Sequence, residues 1–247
     1  MPFRRRTLLL GSFALLLCLI GGFAYGYRQP LSHQGARWMQ GLKRLVVAWT
    51  TEPKPGWQRL PLHGKCVHAH NRWAWMMKRT FGRSSVIKAL QVSCLKVQRK
   101  HPEFRLAVQD ISLPAGGKML GHLSHKTGRD VDIAYIGRDA KGSIHPQTPS
   151  WANPFSMYEE NYNQEGKYRH LRFDEQLNWA FLMALRTNRI VTVEKVLVEP
   201  HLRQRLLAYG KRTKAGKAAL VWARDHLRYA GSNAADHEDH MHVRFVP

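Results

Sequence analysis

The sequence has 247 residues, of which 44% are hydrophobic and 10% are aromatic. A chain of this length and composition can bury a core, which excludes an intrinsically disordered protein. Its 39 lysines and arginines outnumber its 17 aspartates and glutamates, and the formal net charge is +22. Such a chain is expected to bind polyanions; charge alone leaves nucleic acid, anionic lipid and anionic cell-wall polymer open.

The N-terminal residues 1–27 have the pattern of an export segment. Three arginines, Arg4 to Arg6, precede an uncharged run that ends before Arg28. The pattern predicts either a signal peptide, with Gly22-Phe23-Ala24 as a cleavage site, or a retained membrane anchor. Export favours a periplasmic protein and argues against a nucleic-acid partner, because DNA and RNA are scarce outside the inner membrane.

Two further regions follow the export segment. Residues 28–60 contain stretches such as TTEPKPGWQRLP and are predicted to form a linker or peripheral arm. Residues 61–247 are globular in character and are predicted to form one domain. This domain contains Cys66 and Cys94, which could pair in an oxidising compartment; the sequence leaves their pairing open.

Helices and strands interleave in residues 61–247 without a regular β-α-β order. Residues 84–100 are predicted to be helical, since Ile87, Leu90, Cys94 and Val97 recur at helical spacing. Further helices are predicted at 173–188, capped by Asp174, at 201–210, ended by Gly210, and at 214–229. Strands are predicted at 104–113, 189–200 and 240–246. This order predicts an α+β fold with an antiparallel sheet core flanked by helices.

The stretch DHEDHMHVRF, residues 236–245, concentrates acids and histidines in a basic chain. In a strand, alternate side chains share a face. One face then carries the apolar residues Met241, Val243 and Phe245. The opposite face carries His240, His242 and Arg244, and His237 lies in the preceding turn.

A second stretch, GHLSHKTGRDVDIAY at residues 121–135, has the same design. Asp130 and Asp132 share one face of a predicted strand, and His122 and His125 lie in the loop before it. Gly128 permits a tight bend into the strand. If both strands belong to one sheet, their polar faces place imidazoles and a carboxylate around a single point.

Imidazole nitrogens and a carboxylate oxygen are ligands that suit zinc, and three protein ligands leave a position for water. A nearby imidazole that does not bind the metal can move a proton. Taken singly, an H-x-H strand is more often a polar surface pair, and DVD is more often a soluble edge strand. The two stretches together, in an exported chain, favour a catalytic zinc site.

The stretches LPAGGKMLGHLSHKTGRDVDI and DHEDHMHVRF resemble the penicillin-insensitive murein endopeptidases, which belong with the lysostaphin-type and D-alanyl-D-alanine zinc peptidases. The resemblance covers roughly residues 60–247. It implies that zinc binds His125, Asp132 and His242, with His122 as a fourth ligand or a neighbour of the metal. It implies that His240 is a general base or stabilises the oxyanion, and that His237 is a further active-site histidine. The strand pattern adds Asp130 as a carboxylate that orients a ligand imidazole.

The resemblance also implies a substrate, the cross-link between D-alanine and meso-diaminopimelate in peptidoglycan. The alternatives are a D-alanyl-D-alanine carboxypeptidase, a cell-wall-binding protein without turnover, and a nucleic-acid enzyme. Some family members have a second metal near an Asp-Gly-Lys-His-like stretch. The corresponding QEGKY has Glu165 and Tyr168 instead, so no second metal site is predicted here.

Overall fold

The computed structural model describes residues 50–119, 122–147, 162–229 and 237–246. All of these belong to one compact unit, Leu45–Pro247. The predicted export segment, residues 28–49 of the predicted arm, and Asp236 lie outside the described residues. Among the described residues, no helix has both the length and the apolar character needed to cross a bilayer.

The described ranges contain twelve strands and five helices. The strands are β1 (Trp57–Arg59), β2 (Val67–Ala69), β3 (Phe81–Arg83), β4 (Leu106–Val108), β5 (Asp130–Ala134), β6 (Gly137–Arg138), β7 (Ile144–His145), β8 (Lys167–Tyr168), β9 (Leu171–Phe173), β10 (Val193–Leu197), β11 (Leu227–Arg228) and β12 (His240–Phe245). The helices are α1 (Arg72–Met76), α2 (Ser84–Gln98), α3 (Glu175–Arg186), α4 (Pro200–Arg212) and α5 (Lys217–His226).

The main sheet has the strand order β11-β10-β12-β5-β4-β2 within the described part of the chain. The inner pairs are antiparallel, whereas β10–β11 and β2–β4 are parallel. The predicted α+β class is confirmed, but the sheet is mixed at both edges. A parallel pair of strands needs a long crossover connection between them. Helices α1 and α2 lie in the connection between β2 and β4, and helices α4 and α5 lie in the connection between β10 and β11.

Two smaller sheets accompany the main one, β1–β3 and β7-β6-β9-β8. Strand β1 lies in the segment 28–60 for which an arm is predicted, and it pairs with β3 in the register Trp57↔Arg83. The adjoining Leu60 is fully buried. Residues 57–60 therefore pack with the elements that follow them.

The hydrophobic core lies behind the main sheet, against α2 and α3. The apolar face of β12, Met241, Val243 and Phe245, is fully buried, as its alternation predicts. The predicted helical face of α2 is also buried and belongs to the same core. A disulfide joins Cys66, next to β2, to Cys94 on α2.

Helix ends are placed partly as predicted. The Asp174 carboxylate accepts a hydrogen bond from the Leu177 N–H at 2.8 Å and caps α3. By contrast, the prediction that Gly210 ends a helix is wrong, because α4 continues to Arg212. A Cβ atom at Gly210 would lie 2.6 Å from the Trp179 ring, so this glycine permits close packing of two helices.

Candidate metal centre

The pairing of β5 with β12 places the two polar stretches next to each other. His242 is paired with Asp132, and Arg244 with Asp130. The Asp132 Oδ1 atom lies 2.8 Å from Nδ1 of His242. Two segments more than 100 residues apart thus present their polar faces to the same point.

The loop before β5 adds two more imidazoles. His122, His125 and Asp132 each offer a ligand atom, and these atoms all lie within 4.8 Å of one another. His125 Nε2 is 3.0 Å from Asp132 Oδ2, and His122 Nδ1 is 3.8 Å from the same oxygen. Gly128, between loop and strand, has φ of 67°, and a Cβ atom there would lie 2.9 Å from Trp57. The predicted bend depends on this glycine.

His125 is held in the orientation of a metal ligand. Its Nδ1–H donates to the Ile111 carbonyl at 3.0 Å, which leaves Nε2 facing Asp132. In the neutral imidazole that Nε2 is an acceptor, 3.0 Å from a carboxylate oxygen. Two acceptors at this distance require a cation or a proton between them. The donor set and this close approach fit a divalent metal such as zinc.

His242 is held in a similar way by Asp130, the other aspartate of β5. Its Nε2 lies 3.1 Å from Asp130 Oδ1, and Asp130 also accepts a hydrogen bond from Arg244 Nε at 2.6 Å. Donation from Nε2–H to Asp130 leaves Nδ1 facing Asp132. Burial alone would lower the pKa of His242, but the bonds and charges of Asp130 and Asp132 raise this pKa to about 9. Asp130 therefore contacts the imidazole that it is predicted to orient.

His240 lies two residues before His242 on β12 and points at the same carboxylate. Its Nε2 is 3.7 Å from Asp132 Oδ1, and its Nδ1 bonds Asp239 Oδ1. Burial opposes the charged form of His240, but the charges of Asp132 and Asp239 raise its pKa. The His237 ring lies 4.8 Å from the His240 ring, measured between centroids. A supported, buried imidazole next to a metal position can exchange a proton with a reacting group.

Two residues at the site, Asp110 and Arg79, are not predicted by the sequence. The Gln109 N–H donates to the Asp132 carbonyl, and the Asp132 N–H donates to the Asp110 carbonyl, both at 2.8 Å. Two residues after β4 thus face one residue of β5, which is a β-bulge. The bulge brings the Asp110 carboxylate to the site, where it accepts a hydrogen bond from Arg79 at 2.8 Å and lies 3.3 Å from His122 Nε2.

Simple alternation along 104–113 would place Asp110 on the face of Val108, in the core. No sequence signal marks the bulge, so Asp110 could not be found. Two other residues, His68 and His70, had a signal that the prediction passed over. They alternate with Val67 and Ala69, in the same way as the histidines of HMH do with their neighbours.

The fold and the site together define a class. The protein is an α+β protein in which the central sheet and the loop before β5 bring together His122, His125 and Asp132, a group that could hold a metal, with a carboxylate-supported histidine beside it.

The family model of the penicillin-insensitive murein endopeptidases matches residues 54–246, and the chain belongs to this family. The resemblance stated above is confirmed, and it begins slightly earlier than the domain predicted at residue 61. The protein is thus a peptidase of the murein endopeptidase family. No curated protein matches the chain.

Proposed function

We propose that this protein is an exported, zinc-dependent endopeptidase that cleaves D-alanyl–meso-diaminopimelate cross-links in peptidoglycan. The observation that carries the proposal is the convergence of His125, Asp132 and His242 on one buried point, in a chain of this family. The family supports murein as the substrate, and the ligand atoms support zinc.

The metal ligands in this proposal are His125 through Nε2, Asp132, and His242 through Nδ1. In each histidine the other ring nitrogen already bonds a protein oxygen, on Ile111 or Asp130. When bound, zinc supplies Lewis-acid chemistry: it polarises a carbonyl oxygen and acidifies water. The three ligands leave room for both functions.

His122 lies beside the three proposed ligands and is held by two charged residues. Its Nε2 lies 2.7 Å from the Arg79 guanidinium and 3.3 Å from Asp110 Oδ2. Its Nδ1 faces Asp132 Oδ2 at 3.8 Å. We propose that Arg79 and Asp110 fix the ring with Nδ1 next to the metal position, as a neighbour of the three ligands.

His240 is proposed as the proton-transfer residue. Its Nδ1 is held by Asp239, and its Nε2 faces the centre. In this role Nε2 accepts a proton from the attacking water and gives it to the leaving amine of the cleaved amide. The protonated ring formed in between is stabilised by the charges of Asp239 and Asp132. His237, beside His240, is proposed to contact the substrate or the developing oxyanion.

Periplasmic location is proposed from the export pattern of residues 1–27 and from the substrate. In this proposal the segment is either removed after export or retained as an anchor in the inner membrane. The arm is proposed to end where the family match begins, at residue 54, since β1 pairs with β3.

The test is digestion of purified peptidoglycan by the purified protein, with products identified by mass. We expect cross-linked dimers to become monomers, the reaction to stop with a chelator, and added zinc to restore it. The His242→Ala variant is the matched negative control. Free D-alanine as the sole product would show a carboxypeptidase, and binding without cleavage would show a wall-binding protein. Chelator-resistant cleavage would contradict zinc dependence.

A further inference from the structure

The polar face of the main sheet continues beyond the metal centre towards β2. The strand registers pair His68 with Ala107 and His240 with Ala134. Val108 pairs with Ile133 between them, so Ala107 and Ala134 are neighbours on the two inner strands. Two small side chains therefore separate an imidazole on β2 from the proposed proton-transfer histidine. The sheet surface between the two histidines carries no bulky side chain in this row.

A second row of side chains lies beside the first. The His70 N–H donates to the Val108 carbonyl at 2.7 Å, which extends the β2–β4 pairing by one residue. This places His70 beside Gln109, and Gln109 is bonded through its backbone to Asp132. The row thus leads from His70 through Gln109 to the carboxylate at the centre.

These three side chains are buried without satisfying all their polar atoms. His68, His70 and Gln109 are 2%, 7% and 2% exposed. Within the described residues, His68 Nε2, His70 Nδ1 and Gln109 Oε1 have no hydrogen-bond partner. Buried polar atoms are nearly always paired, and leaving one unpaired is costly. Three such atoms on one face of the sheet, on strands next to the candidate metal centre, are what a binding site for a polar group would leave.

The chemistry of the three groups selects the ligand. Burial and neighbouring positive charge lower the pKa of both imidazoles to about 4, so both rings are neutral at neutral pH. A neutral imidazole offers one donor and one acceptor, and the Gln109 oxygen only accepts. The carboxylate of Asp110, which also faces this region, opposes an anion. An uncharged group with both N–H and C=O, a peptide amide, matches this set.

We propose that His68, His70 and Gln109 form a subsite that binds peptide amide groups of the substrate next to the scissile bond. The proposal rests on the proposed function, since the subsite adjoins His240 on the same sheet face. It adds specificity for an extended peptide to the reaction at the metal centre.

The test compares His70→Ala and Gln109→Met with the wild-type protein, using a purified cross-linked muropeptide dimer. Each variant removes one hydrogen bond to the substrate, so we expect KM to rise roughly three- to tenfold while kcat changes less. His70→Asn places an amide near the position of Nδ1 and should recover most of the lost KM. His101→Ala, just after α2, is the matched control and should leave KM unchanged.

Unfolding midpoints separate binding from a structural role. Because these side chains leave polar atoms unpaired, neither His70→Ala nor Gln109→Met should lower the midpoint by much. An unchanged KM, a fall in kcat alone, or no rescue by His70→Asn would overturn the subsite.

If the wild-type protein cleaves nothing, the proposed function fails but the subsite is still tested. Calorimetry with the same dimer and chelator-treated protein then gives Kd directly. A three- to tenfold weaker Kd for His70→Ala would support the subsite, and an equal Kd would overturn it.

Discussion

Asp132 is surrounded by four imidazoles, and three of them have one nitrogen already committed to a protein oxygen. His125 bonds a backbone carbonyl, whereas His242 and His240 bond the carboxylates of Asp130 and Asp239. The remaining nitrogens face Asp132. A carbonyl can only accept, so it fixes one tautomer of His125. A carboxylate also stabilises a charged ring, which is useful where a proton is exchanged.

The first prediction separates a ligand from a proton carrier. His242→Ala removes a ligand atom, so we expect loss of bound zinc and of hydrolysis. His240→Ala leaves the three ligands in place, so zinc should remain bound while kcat falls by about 10²- to 10⁴-fold. Metal analysis of both purified variants, together with their turnover rates, gives the answer. Equal zinc loss in the two variants would refute this division of roles.

The second prediction concerns the partner of His240. Asp239 is buried, and its charge helps to raise the pKa of His240. A general base must be deprotonated to act, so activity rises as pH passes this pKa. Asp239→Asn removes the charge and lowers the pKa, which should move the acid limb of kcat/KM to lower pH.

Loss of orientation in the same Asp239→Asn variant should reduce kcat by about 10- to 100-fold. Asp225→Asn, an exposed acid on α5, is the control and should leave the pH profile unchanged. An acid limb that stays in place or moves to higher pH would show that Asp239 does not act on His240.

At the scale of elements, strand alternation could be read from the sequence, but the bulge and the parallel edges could not. Alternation has a fixed period, so the faces of β5 and β12 follow from their residues alone. The bulge at Gln109-Asp110 depends on which residues of β5 lie opposite, and this is settled only by pairing. The approach of Arg79 to His122 likewise depends on tertiary packing.

The third prediction concerns the disulfide that joins the edge of the sheet to α2. Cys66 and Cys94 close a loop with a sequence separation of 28 residues. A loop of this length corresponds to about 3.5 kcal/mol of stabilisation, mainly through the unfolded chain. The Cys66→Ala/Cys94→Ala variant should unfold at a clearly lower denaturant concentration than the oxidised wild-type protein.

Reductant provides the control for the same experiment. It should lower the denaturation midpoint of the wild-type protein and leave that of the double variant unchanged. Because Cys66 adjoins β2, which carries His68, we also expect a higher KM in the double variant. Identical midpoints for the oxidised wild-type protein and the variant would show that the bond adds no stability.

At the scale of the molecule, the buried carboxylates of the described residues are confined to one place. Among the described residues, the buried acids are Asp110, Asp130, Asp132 and Asp239, all at the candidate centre. The chain as a whole has a net charge of +22, so most of its cations have no acidic counterpart. An interior rich in carboxylates favours a metal cation, and a basic exterior attracts an anionic polymer to the same molecule.

Within the described part of the chain, a dense group of exposed cations lies at the junction of α4 and α5. Lys211, Arg212, Lys214 and Lys217 are exposed there, with no acid among residues 211–217. The Debye length is about 10 Å at 0.1 M salt and about 3 Å at 1 M. Binding to purified cell-wall fragments that carry anionic polymer should therefore weaken steeply with salt. Cleavage of a small soluble muropeptide should change much less.

The fourth prediction is that the cations at this junction contribute more to cell-wall binding than the same number of cations elsewhere on the protein. Reversing Lys211, Arg212 and Lys214 to Glu should weaken co-sedimentation with the wall fragments at low salt. The comparison variant, called the α2 variant, reverses Lys88 on α2 together with Arg99 and Lys100, which follow the helix. It changes the net charge equally, but Lys88 is 11 residues from Arg99, so the three cations are spread over a longer stretch of chain. The α2 variant should lose less binding, because closely spaced cations add their potentials within one Debye length. Equal losses would assign the attraction to total charge, and no loss in either variant would exclude electrostatic binding to the wall.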